Sequence, residues 1–205
     1  MLSGKGNILK QLRIILGSQS LNRANLIDNT MGIPYEVIPS KFKENLDKNK
    51  FSTVEDYCMA TCQGKIDYLR EKVGKYDILI TCDTVCVDDK DNIIEKPVNL
   101  EEQREFMRIF SGTYQYVVSA LIVSIWKDGK EIIERHTERT KLWFSELPES
   151  AIINYGLENP DVLNCSGGFR IQNYGFSFVE RIEGDYSNIV GLPINALCKI
   201  IIKYF

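Results

Sequence analysis

Apolar and polar positions along this chain recur with two different periods, and the changes of period mark its elements. Arg13 to Gly17 (RIILG) is a short apolar run of strand length, after which Ser18 or Ser20 can cap a helix whose apolar positions Leu21, Ala24, Ile27 and Met31 recur every three or four residues. Gly32 and Pro34 end that helix. Tyr35 to Ile38 reads as a second strand, and the charged run KFKENLDKNK that follows reads as a solvated loop. Ser52 with Glu55 has the pattern of a capping box for a long helix through about Lys72, with Tyr57, Ile66, Leu69 and Val73 on its buried side and Lys65 on its wet side.

YDILITCDTVCV is rich in β-branched residues, and the turn-forming DDKDN joins it to a short strand at Ile93 and Ile94. Asn99 with Glu102 opens a further helix that stops at Ser111 and Gly112. Long strands then flank an Asp128-Gly129 hairpin turn, a glycine-rich stretch spans Ser166 to Gly168, a strand runs from Phe176 to Ile182, and a closing helix starts near Pro193. Helices and strands alternate early, and the later strands look antiparallel. The pattern predicts an α/β fold with a mixed, twisted sheet flanked by helices. A length of 205 residues fits one domain, with room for two lobes. Residues 1–12 read as an N-terminal extension and 13–205 as the domain itself.

Composition narrows the classes. The chain is 44% hydrophobic and 26% charged, as expected of a folded, soluble protein. Its net charge of -3 gives no broad attraction to nucleic acid or anionic lipid, so a polyanionic ligand must be held by a local cluster. The first apolar run is broken by Lys10, Gln11 and Arg13, unlike a signal peptide, and no stretch is long enough to span a bilayer. Six scattered cysteines read as reduced thiols, and the reading is a cytoplasmic protein. Cys58 and Cys62 share a helix face, but zinc needs more ligands than they supply, and the sole histidine, His136, is remote in sequence. No nucleophile motif accompanies His136, which argues against a serine or cysteine hydrolase. No aromatic and basic stripe is visible that would suit a nucleic acid polymer.

Two segments carry candidate chemistry. In GSQSLNR (Gly17 to Arg23) a strand enters a helix start, which offers backbone N–H groups, two hydroxyls and a guanidinium to phosphate, although the same serines serve equally as plain caps. In ITCDT (Ile80 to Thr84) a hydrophobic strand delivers Asp83 and Thr84, followed by Glu95, Lys96 and Pro97. Asp83 can ligate magnesium or take a proton from water, and Lys96 can neutralise phosphate; an Asp-Thr polar turn and a surface lysine are the plain alternatives. Glu44 offers a second carboxylate, or a solvated charge between lysines. Gln172 offers a strand-end hydrogen bond or a base reader.

The joint order of these segments resembles the Maf family of nucleoside triphosphate pyrophosphatases from Arg13 onward. SQSLNR is similar to the family's Ser-x-Ser-Pro-Arg-Arg opening; MGIPYEVIP, FKENL, Lys65, TCDT, EKP, FSG, FRIQ and EGDYSNIVGLP follow in order. The resemblance implies an elongated α/β fold of two lobes with a central nucleotide cleft, a bound magnesium or manganese ion, a nucleoside triphosphate substrate and a homodimer. It implies that Ser18, Ser20 and Arg23 hold phosphates, that Lys65 and Lys96 add positive charge, that Asp83 is the base, and that Glu44 and Asp83 place the metal. The chain departs from the family at Leu21 and Asn22, which replace Pro and Arg, and at TYQYVVS, which replaces Arg-Thr-His. CSG stands where a Lys-Ala-Gly block is usual. At the base-reading places Asn22, Thr84 and Gln172, the last two match members acting on thymidine and uridine triphosphates, while NCSGGFR looks more like members acting on 7-methylguanosine triphosphate. A nucleotide-binding regulator of cell division that has lost turnover is the remaining alternative.

Overall fold

The structure is a computed structural model and describes residue 2 and residues 4–205. The chain runs through α1 (Gly6–Leu9), β1 (Ile14–Leu16), α2 (Leu21–Thr30), β2 (Glu36–Val37), α3 (Val54–Arg70), β3 (Ile78–Val87) and β4 (Ile93–Ile94). It continues through α4 (Leu100–Phe110), β5 (Tyr114–Lys127), β6 (Lys130–Phe144), α5 (Glu149–Glu158), β7 (Val179–Glu183), α6 (Tyr186–Val190) and α7 (Ile194–Tyr204). The strands form a seven-stranded mixed sheet in the order β2-β1-β3-β5-β6-β7, with β4 paired to β3. β1 is parallel to β2 and β3, while β3–β4 and β6–β7 are antiparallel. Asp128 (φ 49°) and Gly129 (φ 73°) both have positive φ, as the tight turn between β5 and β6 requires.

The chain forms two compact units: residues 1–84, 119–138 and 191–205 make the first, and residues 85–118 and 139–190 the second. In the first unit, Ile14, Leu16, Ile78, Ile80 and Leu121 pack with Ile27 of α2 and with Leu197 and Ile201 of α7. Leu9 of α1, within the first 12 residues, is fully buried in the same core, whereas residues 1 and 3 lie outside the described residues. α3 covers the opposite sheet face, where Cys62 meets Thr81. In the second unit, Met107 and Phe110 of α4 and Ile152 and Tyr155 of α5 pack on Leu142 and Phe144 of β6.

Several expectations need correction. Thr53, not Ser52, caps α3, its hydroxyl accepting from the Asp56 N–H. Lys65 is buried, at 7% exposure, because it faces the sheet with two acidic partners. Leu21 is 78% exposed, since it stands in the first turn of α2 ahead of the buried stripe. The late strand begins at Val179 rather than Phe176, because residues 173–178 form a 3-10 turn entered through Asn173 at φ 59°. α5 has no sequence forecast: Pro148 gives it no side-chain cap. Finally, a row of aromatic and basic groups does exist in the second unit. The Lys141 ammonium lies 3.6 Å from the Tyr114 ring centre and 4.2 Å from that of Trp143, and Arg139 and Arg181 stack on Tyr116 and Trp143. Arg139 also pairs with Asp91, and Arg181 with Glu183 at 3.0 Å, so these two charges are matched locally.

Gly17, which ends β1, allows the site's first loop to lie close to α3. A Cβ there would stand 2.4 Å from Leu69 Cδ1 and 2.9 Å from Thr81 Cγ2. Gly17→Ala is expected to destabilise the fold by about 1–3 kcal/mol through overpacking, read by urea unfolding.

Candidate active site

β3 runs on to Val87, so Asp83 and Thr84 lie in its middle rather than at its end, and the strand's alternation sorts these residues into two chemical faces. Thr81 and Asp83 point to α3; Cys82 and Thr84 reach the carbonyl of Gly191. On the α3 face, Lys65 Nζ donates to Asp83 Oδ1 at 2.6 Å and lies 3.1 Å from Glu44 Oε2. The Lys65 and Asp83 side chains are only 8% and 9% exposed, whereas that of Glu44 is 54% exposed. Burial by itself pulls the Lys65 pKa down, but the attraction of Asp83, helped by their hydrogen bond and by Glu44, outweighs burial and the repulsion from Arg23, so the net shift is upward. Lys65 is therefore a fixed ammonium at neutral pH.

On the other face, Ser20 caps α2, its hydroxyl accepting from the Arg23 N–H at 3.4 Å, while Ser18 Oγ accepts from the Ser20 N–H at 3.2 Å. The Arg23 guanidinium is held at three points: Nε donates to Gly191 O (2.7 Å), Nη1 to Ser18 Oγ (3.1 Å) and Nη2 to Thr84 Oγ1 (3.0 Å). Thr84 Oγ1 lies 2.8 Å from Ser119 Oγ. A helix start with a planar cation locked beside it makes a site suited to phosphate oxygens. Asn22 is half-buried in the first turn of α2.

Seven of the expected residues, Ser18, Ser20, Arg23, Glu44, Lys65, Asp83 and Thr84, thus fall into two linked hydrogen-bond and ion-pair groups in the first unit. Lys96 and Gln172 belong to the second unit. Lys96 is exposed in the bend after β4, which is tied to the glycine-rich turn by the Gly167 N–H donating to Glu95 O at 3.0 Å. Gln172 is half-buried at the end of a segment fixed by the Tyr155 hydroxyl, which donates to Arg170 O and accepts from the Arg170 N–H, both at 3.0 Å.

Sequence reasoning missed Ser119 and Gly191, which fix Thr84 and Arg23. Gly191 sits inside the recognised EGDYSNIVGLP block, so its presence there was the available signal; Ser119 gave none. Within the same block Asn188 is fully buried, and its Nδ2 donates to Val117 O (2.9 Å) and Thr140 Oγ1 (3.1 Å).

Glu44 and Asp83 are oxygen donors of the kind that could hold a divalent ion. Two carboxylates converge on one ammonium, and no group of three or more His, Cys, Asp or Glu side chains able to hold a metal occurs among the described residues. Magnesium is commonly held by one or two carboxylates with phosphate oxygens and water completing the shell. Cysteine chemistry has no support here: burial pushes the Cys62 thiol up to about 12 and also raises Cys58 and Cys82.

The fold and these two groups define the class as an α/β protein built to handle phosphate anions. The chain belongs to the Maf-like protein family, whose sequence model matches residues 13–204. It is 33% identical over 202 residues to a human protein named probable bifunctional dTTP/UTP pyrophosphatase/methyltransferase protein, covering 94% of this chain but only 32% of that relative. It is 33% identical over 212 residues to the dTTP/UTP pyrophosphatase of Saccharomyces cerevisiae, covering 95% of this chain and 91% of the relative. A dTTP/UTP pyrophosphatase of Thermoanaerobacter is 31% identical over 194 residues, covering 95% of this chain and 97% of the relative. Among the described residues, no helix is long and apolar enough to cross a membrane.

Proposed function

We propose that this chain hydrolyses dTTP and UTP to the nucleoside monophosphate and pyrophosphate. The observation that carries the chemistry is the buried Lys65 ammonium bridging Asp83 and Glu44, in a chain whose similar proteins are named for this activity. Asp83 Oδ1 is engaged by Lys65, which fixes the carboxylate and leaves Oδ2 to take a proton from water as the water oxygen bonds to phosphorus. The bridge between the α and β phosphates then opens, and its electrons leave with pyrophosphate. Lys65 and Arg23 balance charge on the phosphate oxygens, and the positive end of the α2 dipole favours them there. Glu44 and Asp83 would hold a magnesium or manganese ion together with the triphosphate. When bound, that ion supplies charge neutralisation and polarises the phosphoryl oxygen.

Lys96 serves as a further phosphate counter-charge, and Gln172 pairs with the donor and acceptor edge of uracil or thymine. Gln172→Glu is expected to reduce kcat/KM for UTP and dTTP by about 10-fold or more relative to 7-methylguanosine triphosphate, because a carboxylate offers no donor to a pyrimidine carbonyl. Equal losses for all three substrates would remove Gln172 as the base reader. The free, mostly buried cysteines fit a reducing cytoplasm, and the family resemblance supports a homodimer. The deciding experiment is pyrophosphate release by the purified chain with magnesium or manganese across UTP, dTTP, CTP, GTP, ATP and 7-methylguanosine triphosphate. Release confined to UTP and dTTP supports the assignment, and none from any nucleotide overturns it.

A further inference from the structure

Glu44 lies in a segment with little to hold it. Residues 38–47 contain no helix or strand, Lys41, Lys43, Glu44 and Asn45 are exposed, and only Phe42 and Leu46 of residues 41–47 are half-buried. Its first residue is tied to β1, the Ile38 N–H donating to Leu16 O at 3.1 Å, but nearer Glu44 the backbone bonds are local: the Phe42 N–H donates to Ser40 Oγ at 3.0 Å, and the Asn45 N–H to Lys43 O at 2.9 Å. Yet this segment must bring a half-exposed carboxylate to within 3.1 Å of Lys65.

Its anchor is a glycine inside a helix. Gly64 stands in the interior of the 17-residue α3, where glycine is less favourable than alanine. A Cβ built on Gly64 would stand 2.3 Å from Phe42 Cζ, 2.5 Å from Cε2 and 2.7 Å from Cε1. The outer half of the Phe42 ring therefore occupies the place of the missing side chain, against the helix backbone. The next helix residue is Lys65. One turn of α3 thus supplies both the seat for the loop and the cation that the loop's carboxylate meets.

We propose that Gly64 and Phe42 are a seat that sets Glu44 against Lys65, and that both are positioning residues for the hydrolysis and for metal binding with it. The inference rests on the pyrophosphatase reading for its catalytic consequence. The helix preference and the seat act in opposite directions on substitution, which separates this role from a merely structural one. Adding a methyl group at Gly64 improves the helix but lifts the ring, and with it the loop two residues before Glu44.

The test uses the full chain with Gly64→Ala, Phe42→Ala and the double variant Gly64→Ala with Phe42→Leu. Leucine lacks the three ring atoms that crowd the new methyl while keeping an apolar anchor. Melting temperature, pyrophosphate release from UTP, and manganese binding in the presence of α,β-methylene-UTP, followed by paramagnetic resonance, are measured for each. Gly64→Ala is expected to melt at or above the wild-type temperature, to release pyrophosphate on the order of 10²-fold more slowly, and to bind manganese about 10- to 100-fold more weakly. Phe42→Ala should show the same two losses, and the double variant should recover most of both. Wild-type turnover and manganese affinity in Gly64→Ala would overturn the proposal. So would a double variant no better than Gly64→Ala, because the methyl would then be acting on Lys65 directly. If Gly64→Ala does not fold, Phe42→Ala decides, and normal manganese affinity there overturns the seat. Should the wild-type chain release no pyrophosphate, the hydrolase reading fails, while the manganese measurements still judge the seat.

Discussion

Asp83→Asn should lower pyrophosphate release by about 10²- to 10⁴-fold, the usual contribution of a positioned general base. The amide has nearly the same shape and its oxygen can still accept from Lys65 Nζ, so the loss belongs to proton transfer and charge rather than to packing. Metal-dependent nucleotide binding should remain measurable. The loss should appear chiefly in kcat when metal is saturating, while the missing carboxylate ligand raises the metal concentration needed. Turnover within a few-fold of wild type would remove Asp83 as the base and would point to water activated elsewhere in the site.

Lys65→Met tests the same pair from the other side and should damage both fold and turnover. Asp83 is 6% exposed, and removing its ammonium leaves a buried carboxylate without its counter-charge, at a cost of about 3–5 kcal/mol in unfolding free energy. The sign with pH follows from the raised pKa of Lys65. Its contribution is fully present below the ordinary value of 10.5 and is lost only as pH rises through the higher folded value. In urea titrations at pH 6 to 8, the gap between wild type and Lys65→Met attributable to Lys65 ionisation should hence stay constant. Equal stability of the two proteins at neutral pH would show that the pair is not structurally coupled in solution.

Gly64 and Lys65 show why neighbouring residues can be read so unevenly. The helix period of α3 correctly put Tyr57, Ile66, Leu69 and Val73 inside, because apolar burial is the dominant force and leaves a regular trace. That rule sends a lysine outward. Lys65 turns inward because Asp83 arrives from the middle of β3 and Glu44 on a loop, and neither partner is visible from within the helix. The row formed by Tyr114, Tyr116, Lys141 and Trp143 escaped for a related reason: it is assembled from two strands joined by a hairpin, and no linear window contains it. Arg181 joins it from a third strand.

By itself, the sequence determined most of the regular elements, α5 excepted, and the candidate chemical groups. Local periodicity, the Asn99 cap, a serine cap at Ser18 or Ser20 that the structure places at Ser20, and the Asp128-Gly129 turn act over a few residues, so they are written locally. The order of motifs from Ser18 to Pro193 was enough for the family, and it singled out Asp83, Glu44, Lys65 and Arg23 as candidates. Only the tertiary structure decided which groups meet. It set Lys65 between two carboxylates, locked Arg23 through Ser18, Thr84 and Gly191, and filled the place of a Gly64 side chain with the Phe42 ring. These outcomes depend on charge pairing and close packing between segments far apart in the chain, whose free energies exist only once the sheet and helices have brought them within a few ångströms.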